Sequence, residues 1–131
     1  MKVAFTGTIF FNQKVGGISR YYTMLAKNID YSCKIFSPIN KNIYLKNILF
    51  QKKKSMYIKK FPNHKYIKKI NEMLSNYLIN KYNPDIVHET YYSSNIENLQ
   101  KYKKVTTIYD LIHEKFSKDY NQEKLNEKKK I

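Results

Sequence analysis

The sequence predicts an α/β domain, an open, mostly parallel sheet with flanking helices. Three observations point to it. The run Val3-Ala4-Phe5 is consecutively apolar, as in a strand covered on both faces, and Cys33–Phe36 and Asp85–His88 read as further strands. Between them, residues 18–29 and 64–82 carry apolar side chains at helical spacing. Two of the three glycines, Gly16 and Gly17, end the loop that joins the first strand to the first helix. Strand, loop, helix, strand is a crossover unit, and such units are right-handed with parallel strands.

The elements follow in order. Lys2 to Phe5 forms the first strand, and Thr6 to Gly17 the loop after it. Ile18, Tyr21, Tyr22, Leu25 and Ile29 define the first helix, and Cys33 to Phe36 the second strand, closed by Ser37-Pro38. Met56-Tyr57-Ile58 is a short strand within a mixed stretch, 39–63. Ile67, Ile70, Leu74, Tyr77 and Leu78 make one stripe of a helix over 64–82, which Asn83-Pro84 ends because proline cannot continue a helix. Asp85 to His88 and the β-branched run Val105 to Tyr109 are the last strands. A loop over 110–117 and a helix from Asp119 onward complete the reading. The helix runs to Ile131 without a stop signal, so the chain is expected to end inside an element.

Charge and composition exclude several classes. At 131 residues and 42% hydrophobic content, the chain suits one domain with one core. The net charge is +15, but all basic residues except Arg20 are lysine. Readers of phosphate and bases usually carry several arginines, for their bidentate fork. The lysines are scattered, and no known nucleic-acid-binding pattern appears, so nucleic acid is not the expected partner. A basic nucleic-acid-binding protein and a non-catalytic binding domain remain the alternatives. Cys33 is the only cysteine, which excludes an internal disulfide and a cysteine-built metal site. No signal peptide and no apolar run of spanning length is present, so a cytoplasmic location is expected. The stretch 44–60 interleaves lysines with Leu45, Ile48, Leu49, Phe50, Met56 and Tyr57. It reads either as a solvated helix face or as a peripheral contact with the anionic inner face of a membrane.

In parallel α/β sheets ligands bind at the carboxyl ends of the strands. That rule selects three places. Gly16-Gly17-Ile18-Ser19-Arg20 opens a helix, where backbone N–H groups can meet a phosphate; on spacing alone a tight turn is the better explanation of the glycines. His88, Tyr91 and Tyr92 follow a strand and suit a sugar ring, or belong to the core. Tyr109, Asp110, His113 and Glu114 form the densest polar cluster. Asp110 can accept a hydroxyl proton or cap its own turn. The histidines have no zinc spacing.

Three collinear stretches carry a resemblance. Gln13 to Tyr22 (QKVGGISRYY), Asn83 to Ser93 (NPDIVHETYYS) and Val105 to Phe116 (VTTIYDLIHEKF) resemble segments of family 4 glycosyltransferases. The resemblance implies the N-terminal, Rossmann-like half of a GT-B fold over residues 1–131, with the C-terminal donor-binding domain absent. It implies retaining transfer of a hexose, mannose among them, from a nucleotide-sugar to a surface-polysaccharide or lipid-linked acceptor. No metal and no cofactor beyond that donor are implied. Carried onto this sequence, Gly16 and Gly17 approach the donor, and Asp110 is the catalytic candidate. Arg20, His88, Tyr91, Tyr92, Tyr109, His113 and Glu114 line the acceptor side. Tyr109 stands where many members have histidine.

Overall fold

A computed structural model describes residues 1–46, 56–58, 64–91 and 99–109. In chain order the elements are β1 (Lys2–Thr6), α1 (Thr8–Asn12), α2 (Gly17–Asn28), β2 (Ser32–Phe36), β3 (Ile39–Asn40), α3 (Ile43–Lys46), β4 (Met56–Tyr57), α4 (His64–Tyr82), β5 (Ile86–Glu89) and β6 (Lys103–Thr106). Four strands form one parallel sheet in the order β2-β1-β5-β6, and β3 pairs with β4 in a second, two-stranded parallel sheet. From β1 the chain crosses to β2 on one side and later returns to β5 on the other. The strand order therefore reverses between β1 and β5, which places a crevice beyond the carboxyl ends of those two strands.

Helices flank the sheet because successive side chains of β1 point to opposite faces. Val3 and Phe5 pack with Ile9 and Phe10 of α1, Tyr22 and Ala26 of α2, Ile35 and Leu45. Ala4 and Val87 pack on the other face with Ile79 of α4, Leu99 and Tyr102. The backbone N–H of Lys2 donates to the Asp85 carboxylate at 2.7 Å and fastens the amino ends of β1 and β5 together.

The structure corrects the sequence reading at four points. The expected loop 6–17 contains the short helix α1. Gly7, just before it, has no room for a side chain: a Cβ there would strike the Phe36 carbonyl and sit 2.7 Å from the Ser37 Cα. The expected strand 105–109 begins and ends earlier, at Lys103 and Thr106, so Tyr109 lies beyond the sheet.

The third correction concerns α4. Its bounds match the expected helix, but its expected stripe is split: Ile67 and Leu78 are half-buried and the other three members face outward. Ile70, Leu74 and Tyr77 are exposed, and Asn71, Ser75 and Ile79 are buried instead. The cause is polar. Asn71 accepts the Ile39 N–H at 2.8 Å and Ser75 donates to the Phe36 carbonyl at 2.7 Å. These bonds complete backbone groups at the end of β2 and the start of β3, and a buried backbone group left open costs about as much as a lost hydrogen bond. They set the rotation of the helix. Asn83, in the left-handed region at φ 49°, then ends it.

The fourth correction is small. The mixed stretch yields β3 and α3, initiated by buried asparagines: Asn40 accepts the Asn42 N–H, and Asn42 accepts the Tyr44 N–H at 3.0 Å. Most of 44–60, the loop 110–117 and the helix from Asp119 lie outside the described residues. None of the described helices is long and apolar enough to cross a membrane.

Candidate functional site

The crevice is built from the carboxyl ends of β1, β5 and β6 and the first turns of α2. Its floor is a pair of threonines. Thr90 donates its N–H to the Thr6 hydroxyl at 3.0 Å and its own hydroxyl to the Thr6 carbonyl at 2.9 Å; the Ile9 N–H donates to the Thr90 hydroxyl. Thr90 is fully buried. These bonds hold β1, β5 and the start of α1 in fixed relation.

His88 stands on this floor as the register partner of Phe5 on one side and Val105 on the other. Its ring lies 5.2 Å from the Phe5 ring and 5.2 Å, edge to face, from the Tyr22 ring. Its Nε2 is 3.0 Å from the Thr107 hydroxyl. Burial lowers the His88 pKa, which favours the neutral imidazole.

Tyr22 ties α2 to the sheet. It is fully buried, and its hydroxyl donates to the Glu89 carbonyl at 2.9 Å. The Tyr109 ring meets Tyr21 and Tyr22 edge to face at 5.9 and 6.0 Å. Burial first, and a hydrogen-bonding contact with Tyr22 second, push the Tyr109 phenol far above its ordinary pKa. The Glu89 carboxylate accepts from the Thr106 hydroxyl at 3.1 Å and is half-buried. The result is a wall of ring edges beside a neutral imidazole, a carboxylate and hydroxyls. Tyr21 and Tyr109 are the exposed rings of this wall, and an exposed aromatic ring can stack on the apolar face of a polyhydroxylated ring.

The glycines begin the same helix. Tyr22 lies five residues beyond Gly17, about 7.5 Å along the axis. The N-cap Gly16 makes no side-chain capping bond, and no acidic residue occupies the first turn, so the positive end of α2 is left for another group. The two glycines differ. A Cβ on Gly16 would run into the Gln13 side chain, whose Oε1 is buried without a partner among the described residues. A Cβ on Gly17 would meet nothing within 4 Å, so the approach there is open. The loop itself is anchored from below. Asn42 donates to the Gln13 carbonyl at 2.9 Å, and the Ile43 N–H donates to the Lys14 carbonyl.

The structure thus brings His88 and Tyr109 together around Tyr22, on the helix that Gly17 opens. Arg20 is exposed on α2, and Tyr91 is exposed just past β5. Tyr92, Asp110, His113 and Glu114 lie outside the described residues. Sequence reasoning places Glu89 at the end of its strand but missed Tyr22, Thr107 and the Thr6–Thr90 pair as parts of the site. Tyr21 and Tyr22 register there as members of the helical stripe and of the Gln13–Tyr22 stretch, with no site role given to them. Among the described residues, no three of His, Cys, Asp and Glu gather to hold a metal ion. No protein-family model, curated protein or solved structure matches the chain.

Proposed function

We propose that this chain is the N-terminal, acceptor-side lobe of a retaining GT-B glycosyltransferase. It would move a hexose, such as mannose, from a nucleotide-sugar to a surface-polysaccharide or lipid-linked acceptor. The observation that carries the reading is the contact of His88 with Tyr22, because it joins the end of β5 to the helix that Gly17 opens. A sugar held against the exposed Tyr21 and Tyr109 rings then lies beside the positive end of α2, where a diphosphate is stabilised.

In the transfer, the bond from the anomeric carbon to the diphosphate breaks and the acceptor oxygen bonds to that carbon on the same face. On this reading Asp110, next after Tyr109, orients the attacking hydroxyl and receives its proton. Gly17 leaves the donor room, and His88, uncharged, holds acceptor hydroxyls. Most donor contacts belong to a second lobe facing this rim.

The test is a titration of the isotope-labelled chain with mannose-containing oligosaccharides and with GDP-mannose. The glycans should shift the His88 and Tyr109 ring signals, and the nucleotide-sugar should bind weakly. Joined to a donor-binding lobe, the chain should transfer sugar, and Asp110→Asn should abolish transfer. Rim signals unmoved by every glycan, or normal transfer by the 131-residue chain alone, would overturn the reading.

A further inference from the structure

Helix α4 turns an apolar stripe away from its own fold. Tyr66, Ile70, Met73 and Tyr77 are 72%, 51%, 65% and 63% exposed, and Leu74 beside them is 43% exposed. Their spacing places them on one side of the helix, opposite the docked residues Asn71, Ser75 and Ile79. Lys65, Lys69 and Lys81 are exposed along the same helix. Its one carboxylate, Glu72, is 3.9 Å from Lys68.

A depression of about 430 Å³ adjoins the stripe, lined by Met73, Asn76, Tyr77, Asn80 and Lys101. Its polar side is preset. The Tyr102 hydroxyl donates to Asn80 Oδ1 at 3.1 Å, so the NH2 of that amide is left to donate to a ligand. The Lys101 ammonium lies 4.9 Å from the centre of the Tyr102 ring.

We propose that this outward face of α4 is a docking surface for an anionic lipid bilayer. Ile70, Met73 and Leu74 enter the boundary between headgroups and acyl chains. Tyr66 and Tyr77 sit at headgroup depth, where amphipathic rings are favoured. A lipid phosphate is held by Asn76, Asn80 and Lys101. Charge complementarity selects this occupant. A second copy of the chain would bring the same lysines and another +15 against the surface, whereas an anionic bilayer attracts each lysine, strengthening binding about fivefold apiece. Helix α4 packs on the face of the sheet opposite α2, and the proposal does not depend on the sugar-transfer reading.

Co-sedimentation with vesicles tests it, comparing phosphatidylcholine alone with phosphatidylcholine mixed with phosphatidylglycerol. The chain should pellet with the anionic vesicles only, and added salt should weaken this. Ile70→Glu with Met73→Glu should reduce binding at least ~10-fold, and Lys101→Gln about fivefold. Both altered apolar positions are exposed, so thermal melts should match the unaltered chain. A triple exchange of Lys52, Lys53 and Lys54 for Gln should retain more binding than the double glutamate variant.

Binding to neither vesicle overturns the proposal. So does full binding by the double variant, or loss of binding only in the triple variant, which would move the contact to 44–60. A dimer that the double variant converts to monomer would assign the face to a second copy instead.

Discussion

The Thr90 hydroxyl donates to the Thr6 carbonyl at 2.9 Å, while the Thr90 N–H donates to the Thr6 hydroxyl at 3.0 Å. Two residues 84 positions apart thus satisfy each other where the strand order reverses. Thr90→Val keeps the shape and removes the hydroxyl, leaving the Thr6 carbonyl and the Ile9 N–H short of a partner. The expected loss is about 1–3 kcal/mol in urea unfolding, with Thr90→Ser closer to the original. Equal midpoints for the original and the Val variant would show the pair to be energetically idle.

Gly7 and Gly17 should respond in opposite ways to alanine. At Gly7 the new Cβ collides with backbone of β2's end, which cannot swing aside as a side chain can. A loss of about 1–3 kcal/mol or more is expected, as at other overpacked sites. At Gly17 the space is open and the residue is helical, so Gly17→Ala should hold or raise stability by up to about 1 kcal/mol. If the donor approaches there, the same variant weakens nucleotide-sugar binding. Thermal melts and a binding titration separate the two effects.

Tyr22→Phe deletes only the hydroxyl bonded to the Glu89 carbonyl. It should cost about 1 kcal/mol, and Tyr22→Ala about 3–5 kcal/mol because the ring is buried between Phe5 and His88. The Phe variant should also shift the His88 ring signals, since that imidazole packs on Tyr22. Unchanged His88 signals would argue against a coupled wall.

Burial lowers the His88 pKa from its ordinary 6.5. The folded chain therefore resists protonation more than the unfolded chain does, and the unfolded state binds more protons in acid. Stability should be unaffected by this group above about pH 6.5 and should fall as pH drops through and below that value. His88→Gln should flatten this part of the profile. A His88 ring signal titrating above 6.5 would contradict the argument.

Burial also raises the Cys33 pKa, and its thiol donates to the Ala26 carbonyl at 3.0 Å. Little thiolate is then present near neutral pH. A disulfide reagent should label Cys33 slowly in the folded chain and rapidly in urea. Equal rates would place the thiol in water.

The parallel sheet was legible because Val3, Ala4 and Phe5 are consecutively apolar, as in a strand covered on both faces, and because strands and helices alternate along the chain. The bounds of α4 were legible from Asn83-Pro84, but its rotation was not. Hydropathy favours burying Ile70 and Tyr77, whereas the open backbone groups of Phe36 and Ile39 select Ser75 and Asn71. That requirement exists only once β2 and β3 are in place. The site was legible where a residue ends a strand, as at His88. It was missed where a helix residue reaches across, as Tyr22 does, because a stripe marks which side faces the sheet and not what it touches there.

The sheet's order also bears on how the chain is made. β1 is flanked on both sides, yet its partner β5 is synthesised 83 residues later, Lys2 bonding to Asp85. Until those residues leave the ribosome, one edge of β1 presents open N–H and C=O groups to any passing strand. A nascent chain paused before Asp85 should recruit holding chaperones, and one paused well beyond Glu89 should release them.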